Sequence, residues 1–251
     1  MLDAEQYVDL ICRDGFAIVE DVVDPDRVDQ LRDAITELPE GDEVRRKTNV
    51  YGIRNLLEVC AATRELAGAS EIRDLVVPVL GPDCFAVRAT FFDKVPDANW
   101  KLRYHQDSVI AVKERHETPG FTSWSNKAGV LQVRPPEGVL ADMLAIRIHL
   151  DDSTRQNGPL RVLAGSHQRR WPREAISQCK ASFQEVTCEV PEGGVLAMRP
   201  LVLHASSASE IPQHRRIIHI EYARNHLPGR LEWHTRVPAT STTGDFLHTV
   251  Q

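Results

Sequence analysis

Hydrophobic positions in the first third of the chain recur at helical spacing. One such segment opens with Asp24 and Pro25, an N-cap residue followed by a first-turn proline. Its apolar residues are Val28, Leu31, Ile35 and Leu38. Two more segments with this period cover about 55–67 and 70–81, the second with Ser70 as its expected cap. The pattern predicts helices ahead of residue 84 that pack outside a sheet.

The period changes toward two from Phe85 onward. Phe85, Val87, Ala89 and Phe91 alternate with Arg88, Thr90, Phe92 and Lys94. We expect the two sets to lie on opposite faces of one strand. Further strands are predicted near 102–110, 144–150, 160–163, 184–190, 195–199 and 216–223. Many short strands after a helical start indicate a mainly β fold, either a barrel or a double-sheet jelly roll, with N-terminal helices.

The length of 251 residues is compatible with one domain. We expect a mainly helical flank over 1–83, a jelly-roll core over 84–225 and a C-terminal extension over 226–251. The stretch from His116 to Gly138 has no clear period and holds two adjacent prolines. It is predicted to be a long functional loop, as a lid or specificity element.

Charge excludes some partners. The 36 acidic and 30 basic residues give a formal charge of −6, which disfavours nucleic acid and anionic membranes. The short basic run from Arg45 to Lys47 is interpreted as part of a solvated loop. The amino end carries acids where a signal peptide has basic residues, and no 18 apolar residues run together. We expect a cytoplasmic protein that acts on a small molecule, and nothing in the sequence indicates its oligomeric state.

The sequence Tyr104-His105-Gln106-Asp107 is the strongest local chemical signal. Residues two apart on a strand share a face, so the imidazole of His105 and the carboxylate of Asp107 can point at one cation. Two histidines and one carboxylate on one octahedral face form the site of non-haem Fe(II) oxygenases. The pair alone is a weak motif, and with 10 histidines in the chain a third ligand cannot be chosen by counting.

Context for a third ligand comes from His204, which follows an apolar strand. Arg215 lies 11 positions later and Ser206 two positions later. A dicarboxylate that chelates iron through its 2-oxo acid end leaves its far carboxylate buried, and a guanidinium is well suited to pair with it. Arg215 could do this with the Ser206 hydroxyl. Arg216 competes for that role, because only one of two adjacent strand residues can enter the barrel.

Together these motifs resemble the phytanoyl-CoA dioxygenase family of Fe(II)/2-oxoglutarate oxygenases. That family has HxD, a distal His and an Arg about eleven residues on. The resemblance covers roughly Phe16 to Ala223. It extends to the segments Phe91-Phe92-Asp93-Lys94, Asn99-Trp100, Leu150-Asp151-Asp152, Asn157-Gly158-Pro159-Leu160 and Ala164-Gly165-Ser166-His167. Ala164 departs from the usual proline, which concerns a turn and not a ligand.

The resemblance implies a double-stranded β-helix, a cupin-like jelly-roll barrel. It implies iron ligation by His105, Asp107 and His204, and anchoring of 2-oxoglutarate by Arg215 and Ser206. Trp124 falls near the position where some members place a tryptophan that contacts the cosubstrate.

Three further residues are candidate substrate contacts. Arg147 and His149 lie on the same face of a strand. That face either borders the cavity or forms an outward-facing row of polar side chains. An inward Arg147 would favour a carboxylate or phosphate on the substrate. Lys94 and Asn99 either touch substrate or cosubstrate or lie at the surface.

The function implied by the resemblance is O2- and 2-oxoglutarate-dependent oxidation of a small molecule, with hydroxylation as the default outcome. Related centres also desaturate, cyclise or halogenate, but halogenation is disfavoured because Asp107 is present where halogenases of this general type carry a small residue. Two rivals remain at this stage. One is a cupin-like metal protein that does not use 2-oxoglutarate, and the other is a binding protein without turnover.

Overall fold

The computed structural model describes residues 3–39, 41, 43–46, 50–211 and 213–238. Its helices are α1 Ala4–Arg13, α2 Pro25–Thr36, α3 Leu56–Val59, α4 Ala61–Gly68, α5 Ser70–Leu80, α6 Glu137–Ala141 and α7 Ile176–Ser182. The strands from the amino end are β1 Phe16–Val19, β2 Val44–Arg46, β3 Val50–Ile53, β4 Phe85–Asp93, β5 Leu102–His105, β6 Ile110–Val112, β7 Thr122–Lys127 and β8 Val130–Arg134. They continue as β9 Met143–His149, β10 Leu160–Leu163, β11 Glu185–Cys188, β12 Val195–Met198, β13 His204–Ser206, β14 Arg216–Ala223 and β15 Val237–Pro238.

A large sheet carries the N-terminal helices on one face. Its strand order is β1-β12-β9-β14-β4-β3-β2, with β15 paired to β4. Side chains from alternate positions of the central strands, such as Ile146 on β9 and Ile220 on β14, join one apolar cluster with Leu31 of α2 and Val76 of α5. The helices therefore cover one side of the sheet, as the alternation predicts.

The opposite face of the large sheet packs on a second sheet of four strands in the order β11-β10-β13-β5. Leu196 and Met198 of β12 share a core cluster with Leu160 and Val162 of β10. The predicted jelly-roll arrangement of two facing sheets with N-terminal helices is confirmed. In the described residues the two sheets do not join into a closed barrel.

A bulge interrupts the alternation of β4. Arg88 lies opposite Glu221 and Ala86 opposite Tyr222, so Val87 is left without a partner on β14. Ala89 and Phe91 consequently pack under the helices, whereas Val87 packs in a different cluster. The prediction of one uniform apolar face from Phe85 to Phe91 is therefore wrong, because the extra residue shifts the register.

Several sequence-predicted boundaries change. The predicted helix over 55–67 is divided at Cys60, which has extended backbone angles. Ala69, not Ser70, is the N-cap of α5. The predicted strand over 102–110 consists of β5 and β6, which belong to different sheets.

Two predicted loops contain strands. The stretch from His116 to Gly138 forms the β7–β8 hairpin and leads into α6. Arg45 and Arg46 lie on β2, which pairs with β3, while Lys47 is outside the described residues. Strand β7 lacks an alternating apolar pattern because it is exposed along most of its length.

The C-terminal extension is described only as far as residue 238, and its last described residues pair with β4 as β15. The remainder of the predicted surface tail lies outside the described residues. Within the described chain, no helix combines the length and the apolar character that crossing a bilayer requires. The expectation of a single domain stays a prediction.

Candidate metal centre and cosubstrate cavity

Hydrogen-bonded pairing of two strands brings the sequence-predicted histidines together. Strand β13 is antiparallel to β5, and His204 lies directly opposite His105 in the register. Their ring centroids are 4.2 Å apart. Asp107 follows β5 by two residues, and its backbone N–H donates to the carbonyl of Pro200 at 2.9 Å. This hydrogen bond holds the segment that carries Asp107 next to the loop that leads into β13.

The three candidate ligands converge on one point. The Nε2 atoms of His105 and His204 each lie 3.8 Å from a carboxylate oxygen of Asp107. One nitrogen or oxygen atom from each residue lies within 4.8 Å of the others. Two imidazole nitrogens and one carboxylate oxygen, with further positions left open, form a donor set that suits Fe(II). The residues therefore fit the metal that the sequence motif implies.

Backbone carbonyls set the tautomer of both histidines. The Nδ1 of His105 lies 2.9 Å from the carbonyl oxygen of Arg103, and the Nδ1 of His204 lies 2.9 Å from that of Val202. A carbonyl can only accept, so each Nδ1 carries the proton. Each Nε2 then has a free lone pair that points at the shared centre, which is the orientation a metal ligand requires.

Electrostatics keep these groups in the protonation states that bind a cation. Burial lowers the pKa of His204 to about 4, so its ring is neutral at physiological pH. Burial alone would raise the pKa of Asp107. Electrostatic interactions with His204, His219, His105 and Arg88 outweigh it and lower that pKa to about 2. The cluster thus offers an anionic donor from Asp107 and a neutral donor from His204.

Beside the cluster, buried polar groups form a candidate anion site. Ser206, at the end of β13, accepts a hydrogen bond from Nζ of Lys94 at 3.2 Å. Arg215 is 3% exposed and donates through its guanidinium to the carbonyl of Gly158. Ser206 and Arg215 line a cavity of about 130 Å³ together with the three candidate ligands. We call this space the inner cavity.

Burying these cationic side chains without an anionic partner is energetically unfavourable, because they lose their contact with water. Burial, reinforced by Arg215 and Arg147, lowers the pKa of Lys94 to about 7. Burial and Arg147 lower the pKa of Arg215 to about 9. The Nε of Arg215 is buried and has no hydrogen-bond partner in the described part of the chain. An entering carboxylate would satisfy this nitrogen and relieve the repulsion between the buried cations.

The choice between Arg215 and Arg216 follows from strand alternation. Arg216 turns away from the inner cavity and forms a two-point ion pair with Asp151, with Nε donating at 2.9 Å and a terminal nitrogen donating at 2.6 Å. Arg215 turns inward, and its backbone N–H donates to Asp93 at 2.9 Å. Of these two arginines, Arg215 is the one positioned to meet an anion in the inner cavity.

A buried polar network lines the wall opposite the ligands. A terminal nitrogen of Arg147 lies 3.1 Å from Nδ1 of His219, and Nε2 of His219 lies 3.4 Å from Glu221. Glu221 accepts from Nε of Arg88 at 3.0 Å. Since a guanidinium only donates, Nδ1 of His219 accepts and its Nε2 carries the proton. Arg147 therefore points inward, and in the described chain it has no carboxylate partner within ion-pair distance.

Other sequence-predicted residues lie elsewhere. Trp124 is on β7, where it packs beside the second core cluster with Arg115 over its ring at 5.3 Å, and the structure does not bring it to the inner cavity. Trp100 is the tryptophan that lines the cavity. Asn99 uses both ends of its amide to bind the backbone of Ser209, at 2.8 and 2.6 Å. His149 is buried, and among the described residues neither of its ring nitrogens has a hydrogen-bond partner.

Sequence reasoning missed eight lining residues: Arg88, Thr90, Phe92, Trp100, Leu102, Leu160, His219 and Glu221. A usable signal existed in the polar face of β4, because Arg88, Thr90 and Phe92 alternate with residues of the helix-side core. His219 and Glu221 carry the same alternation on β14. Recognising that this face meets the ligands needs the pairing of β14 with β4 and β9, which is a property of the folded sheet.

Comparison with solved structures supports the fold. AviO1 from Streptomyces viridochromogenes Tue57 is 23% identical, with 91% of this chain and 98% of that chain covered and a TM-score of 0.66. EctD from S. alaskensis, solved with 2-oxoglutarate and 5-hydroxyectoine, is 19% identical over 88% of this chain and 76% of that chain, with a TM-score of 0.68. The carbocyclase SnoK from nogalamycin biosynthesis is 16% identical over 88% of this chain and 86% of that chain, with a TM-score of 0.65. No curated protein matches the chain significantly in sequence.

The family comparison covers most of the chain. The family model for phytanoyl-CoA dioxygenase (PhyH) matches residues 11–217, a span that includes every candidate ligand and the candidate anion site. The chain belongs to the phytanoyl-CoA dioxygenase family, whose members are non-haem enzymes that depend on Fe(II) and 2-oxoglutarate.

Proposed function

We propose that the chain hydroxylates an unactivated C–H bond of a small molecule, with His105, Asp107 and His204 as the iron ligands. The observation that carries this proposal is the joint position of a metal-ligand cluster and a buried cationic anion site in one inner cavity. Bound iron and 2-oxoglutarate supply the oxidising chemistry, in which O2 and 2-oxoglutarate become succinate and CO2 while one oxygen atom enters the substrate.

The cosubstrate is anchored, in this proposal, by Arg215, Ser206 and Lys94. The far carboxylate of 2-oxoglutarate accepts from the Arg215 guanidinium and the Ser206 hydroxyl. Lys94 adds a positive charge beside Ser206, where its ammonium already donates to the carbonyls of Gly158 and Ser207 and to the Ser206 hydroxyl. These preformed contacts leave few rotamers to be ordered on binding, which favours tight and oriented binding.

Arg147 is proposed to contact the substrate near the carbon that reacts. His219 and Glu221 fix its position, and its Nε is buried without a partner. Asn99 is proposed to act indirectly, since its amide is fully used in holding the backbone of Ser209. Trp124 has no place in this proposal because it lies outside the inner cavity.

Succinate release tests the function and separates it from its rivals. Purified protein with Fe(II), ascorbate and 2-oxoglutarate is screened against small molecules, and succinate and oxidised product are quantified together. We expect equal amounts of both, and loss of at least ~100-fold of activity in His105→Ala and Asp107→Ala. Iron-bound protein that releases no succinate with any compound would favour the metal-binding or non-catalytic alternatives.

The arginine pair provides a matched comparison. Arg215→Met is expected to raise the KM for 2-oxoglutarate by about 100-fold, the effect of losing a charge-assisted two-point contact. Arg216→Met removes a neighbouring guanidinium that pairs with Asp151, so it should lower stability but leave this KM within about twofold. Equal KM changes in the two variants would remove Arg215 from its proposed role.

A further inference from the structure

A second, larger pocket adjoins the inner cavity. It has a volume of about 580 Å³ and is bordered by the β2–β3 hairpin, β4 and the segment from Asp97 to Trp100. We call it the outer pocket. Thr90, Phe92 and Trp100 line both spaces. A single molecule can therefore occupy the outer pocket and extend past this shared wall toward the metal cluster.

The outer pocket has the size and surface of a small-molecule site. Its volume falls within the range of about 300–1,000 Å³ that is usual for such sites. The rings of Tyr51 and Trp100 lie 6.3 Å apart at 57° and form an aromatic wall. Phe92 adds a third ring at the boundary with the inner cavity. The body of a ligand here would contact mainly flat, apolar surfaces.

Two guanidinium groups in the lining have no anionic partner among the residues that the structure describes. Arg45 on β2 and Arg54, which follows β3, form no ion pair with any residue in the described part of the chain. Partial burial lowers the pKa of Arg54, and repulsion from Arg45 and Arg88 lowers it further. Asp97 is the acidic residue of the lining. Two arginines against one carboxylate leave a positive excess at this end of the pocket.

Sheet pairing holds these arginines in place. Arg45 lies opposite Gly52 in the hairpin, and Gly52 lies opposite Phe92 of β4. The backbone N–H of Arg54 donates to the carbonyl of Glu43 at 3.0 Å. The positive end is thus connected through β3 to the strand that carries the shared wall, so its distance from the metal cluster is set by the large sheet.

We propose that the outer pocket binds the substrate and that Arg45 and Arg54 hold a carboxylate, phosphate or sulfonate group of it. The substrate class is a small anion with an aromatic or otherwise apolar body, whose reacting carbon extends past Phe92 into the inner cavity. This inference rests on the proposed function for its meaning as a substrate site. The binding itself requires no metal.

A pair of fluorescent probes tests the charge recognition on the full, metal-free chain. 1-Anilinonaphthalene-8-sulfonate and N-phenyl-1-naphthylamine share one aromatic body, and only the first carries a sulfonate. We expect the double variant R45Q/R54Q to bind the sulfonate probe about tenfold more weakly, the effect of removing two charge-assisted contacts, and the neutral probe within about twofold of wild type. Affinities come from fluorescence titration.

Three further variants control this test. R45K/R54K keeps both charges and should bind the sulfonate probe within about threefold of wild type. R230Q removes an exposed arginine outside the pocket and should bind both probes as wild type does. Thermal unfolding of each variant shows whether it is folded, and the single variants R45Q and R54Q test the proposal in the same way if the double variant does not fold.

The outcomes separate this inference from the proposed function. Unchanged sulfonate binding in R45Q/R54Q, or equal weakening of both probes, would overturn the anion site even if succinate release succeeds. Selective loss of the sulfonate probe supports the site even if no succinate is released. In the active enzyme, the same double variant should then raise the KM of an acidic substrate and not that of its matched amide.

Discussion

Lys94 shows how burial changes the chemistry of a single side chain. It is 1% exposed and surrounded by carbonyls, a hydroxyl and two guanidinium groups. With a pKa lowered to about 7, its ammonium is only partly protonated near neutral pH. An incoming dianion would stabilise the protonated form. Cosubstrate binding and protonation of Lys94 should therefore be linked.

This linkage predicts a pH dependence of 2-oxoglutarate affinity. As pH rises through about 7, Lys94 loses its proton and the affinity should fall, with Kd increasing about tenfold between pH 6.5 and 8.5. Lys94→Met should bind more weakly at low pH and show a flat profile over this window. Calorimetric titration of the Fe(II)-loaded protein under anaerobic conditions measures both curves. Parallel curves would show that Lys94 does not titrate with binding.

Residue spacing was sufficient for part of the site. His105 and Asp107 follow from their separation by two, and the resemblance added His204 and Arg215, all of which the structure places around one cavity. Arg147 could face either way from alternation alone, and the structure turns it inward. Trp124 was misplaced relative to the cavity because its position depends on the β7–β8 hairpin, which pairs with β6 and not with the strands of the site.

At the scale of elements, Asn99 joins two segments that border the site. Its amide donates to the carbonyl of Ser209 at 2.8 Å and accepts from the N–H of Ser209 at 2.6 Å. One segment carries Trp100, which lines both pockets, and the other follows Ser206 of the anion site. The pair of hydrogen bonds thus fixes the spacing between the aromatic wall and the end of β13.

Asn99→Ala is expected to lower the free energy of unfolding by about 1–3 kcal/mol, because both backbone groups of Ser209 lose their partners. It should also raise the KM for 2-oxoglutarate by a few fold, since Ser206 is no longer held as firmly. Urea unfolding and steady-state kinetics measure the two effects. Asn126→Ala, on the exposed strand β7, is the matched control and should change neither quantity. Similar effects in both variants would contradict this role.

Elements with one buried face were predictable, and exposed ones were not. Strands β10 and β14 begin and end at the predicted residues because apolar runs define them. Strands β2 and β7 were predicted as loops because their stability comes from backbone pairing with β3 and β8 and not from an apolar face. The bulge at Val87 leaves no trace in the sequence pattern, since it depends on how β14 pairs with β4.

For the whole molecule, buried histidines couple folding to pH. Burial, with repulsion from Arg147 and Arg215, holds the pKa of His149 well below 6.5. Burial also lowers the pKa of His204 to about 4. Both side chains bind protons more readily in the unfolded chain than in the folded one. Their contribution to stability is therefore present above about pH 6.5 and lost as pH falls toward 4.

The metal-free protein should accordingly have a Tm that decreases between pH 7 and pH 5. His149→Leu removes one of these titrations together with two unpaired nitrogens, so its Tm should depend less on pH and exceed that of wild type at pH 5. Thermal unfolding by circular dichroism across this range measures both proteins. Identical slopes would mean that His149 is not held neutral by burial.

The most direct test of the central claim is an anaerobic titration of the metal-free protein with Fe(II) and then with 2-oxoglutarate, followed through the visible absorption band of the iron–2-oxoglutarate chelate. The account predicts a saturable band in wild type, no band in His105→Ala, and a band in Arg215→Ala that needs far more 2-oxoglutarate. Arg216→Ala should behave as wild type. Wild-type protein that binds iron but develops no band with 2-oxoglutarate would contradict the assignment of this cavity.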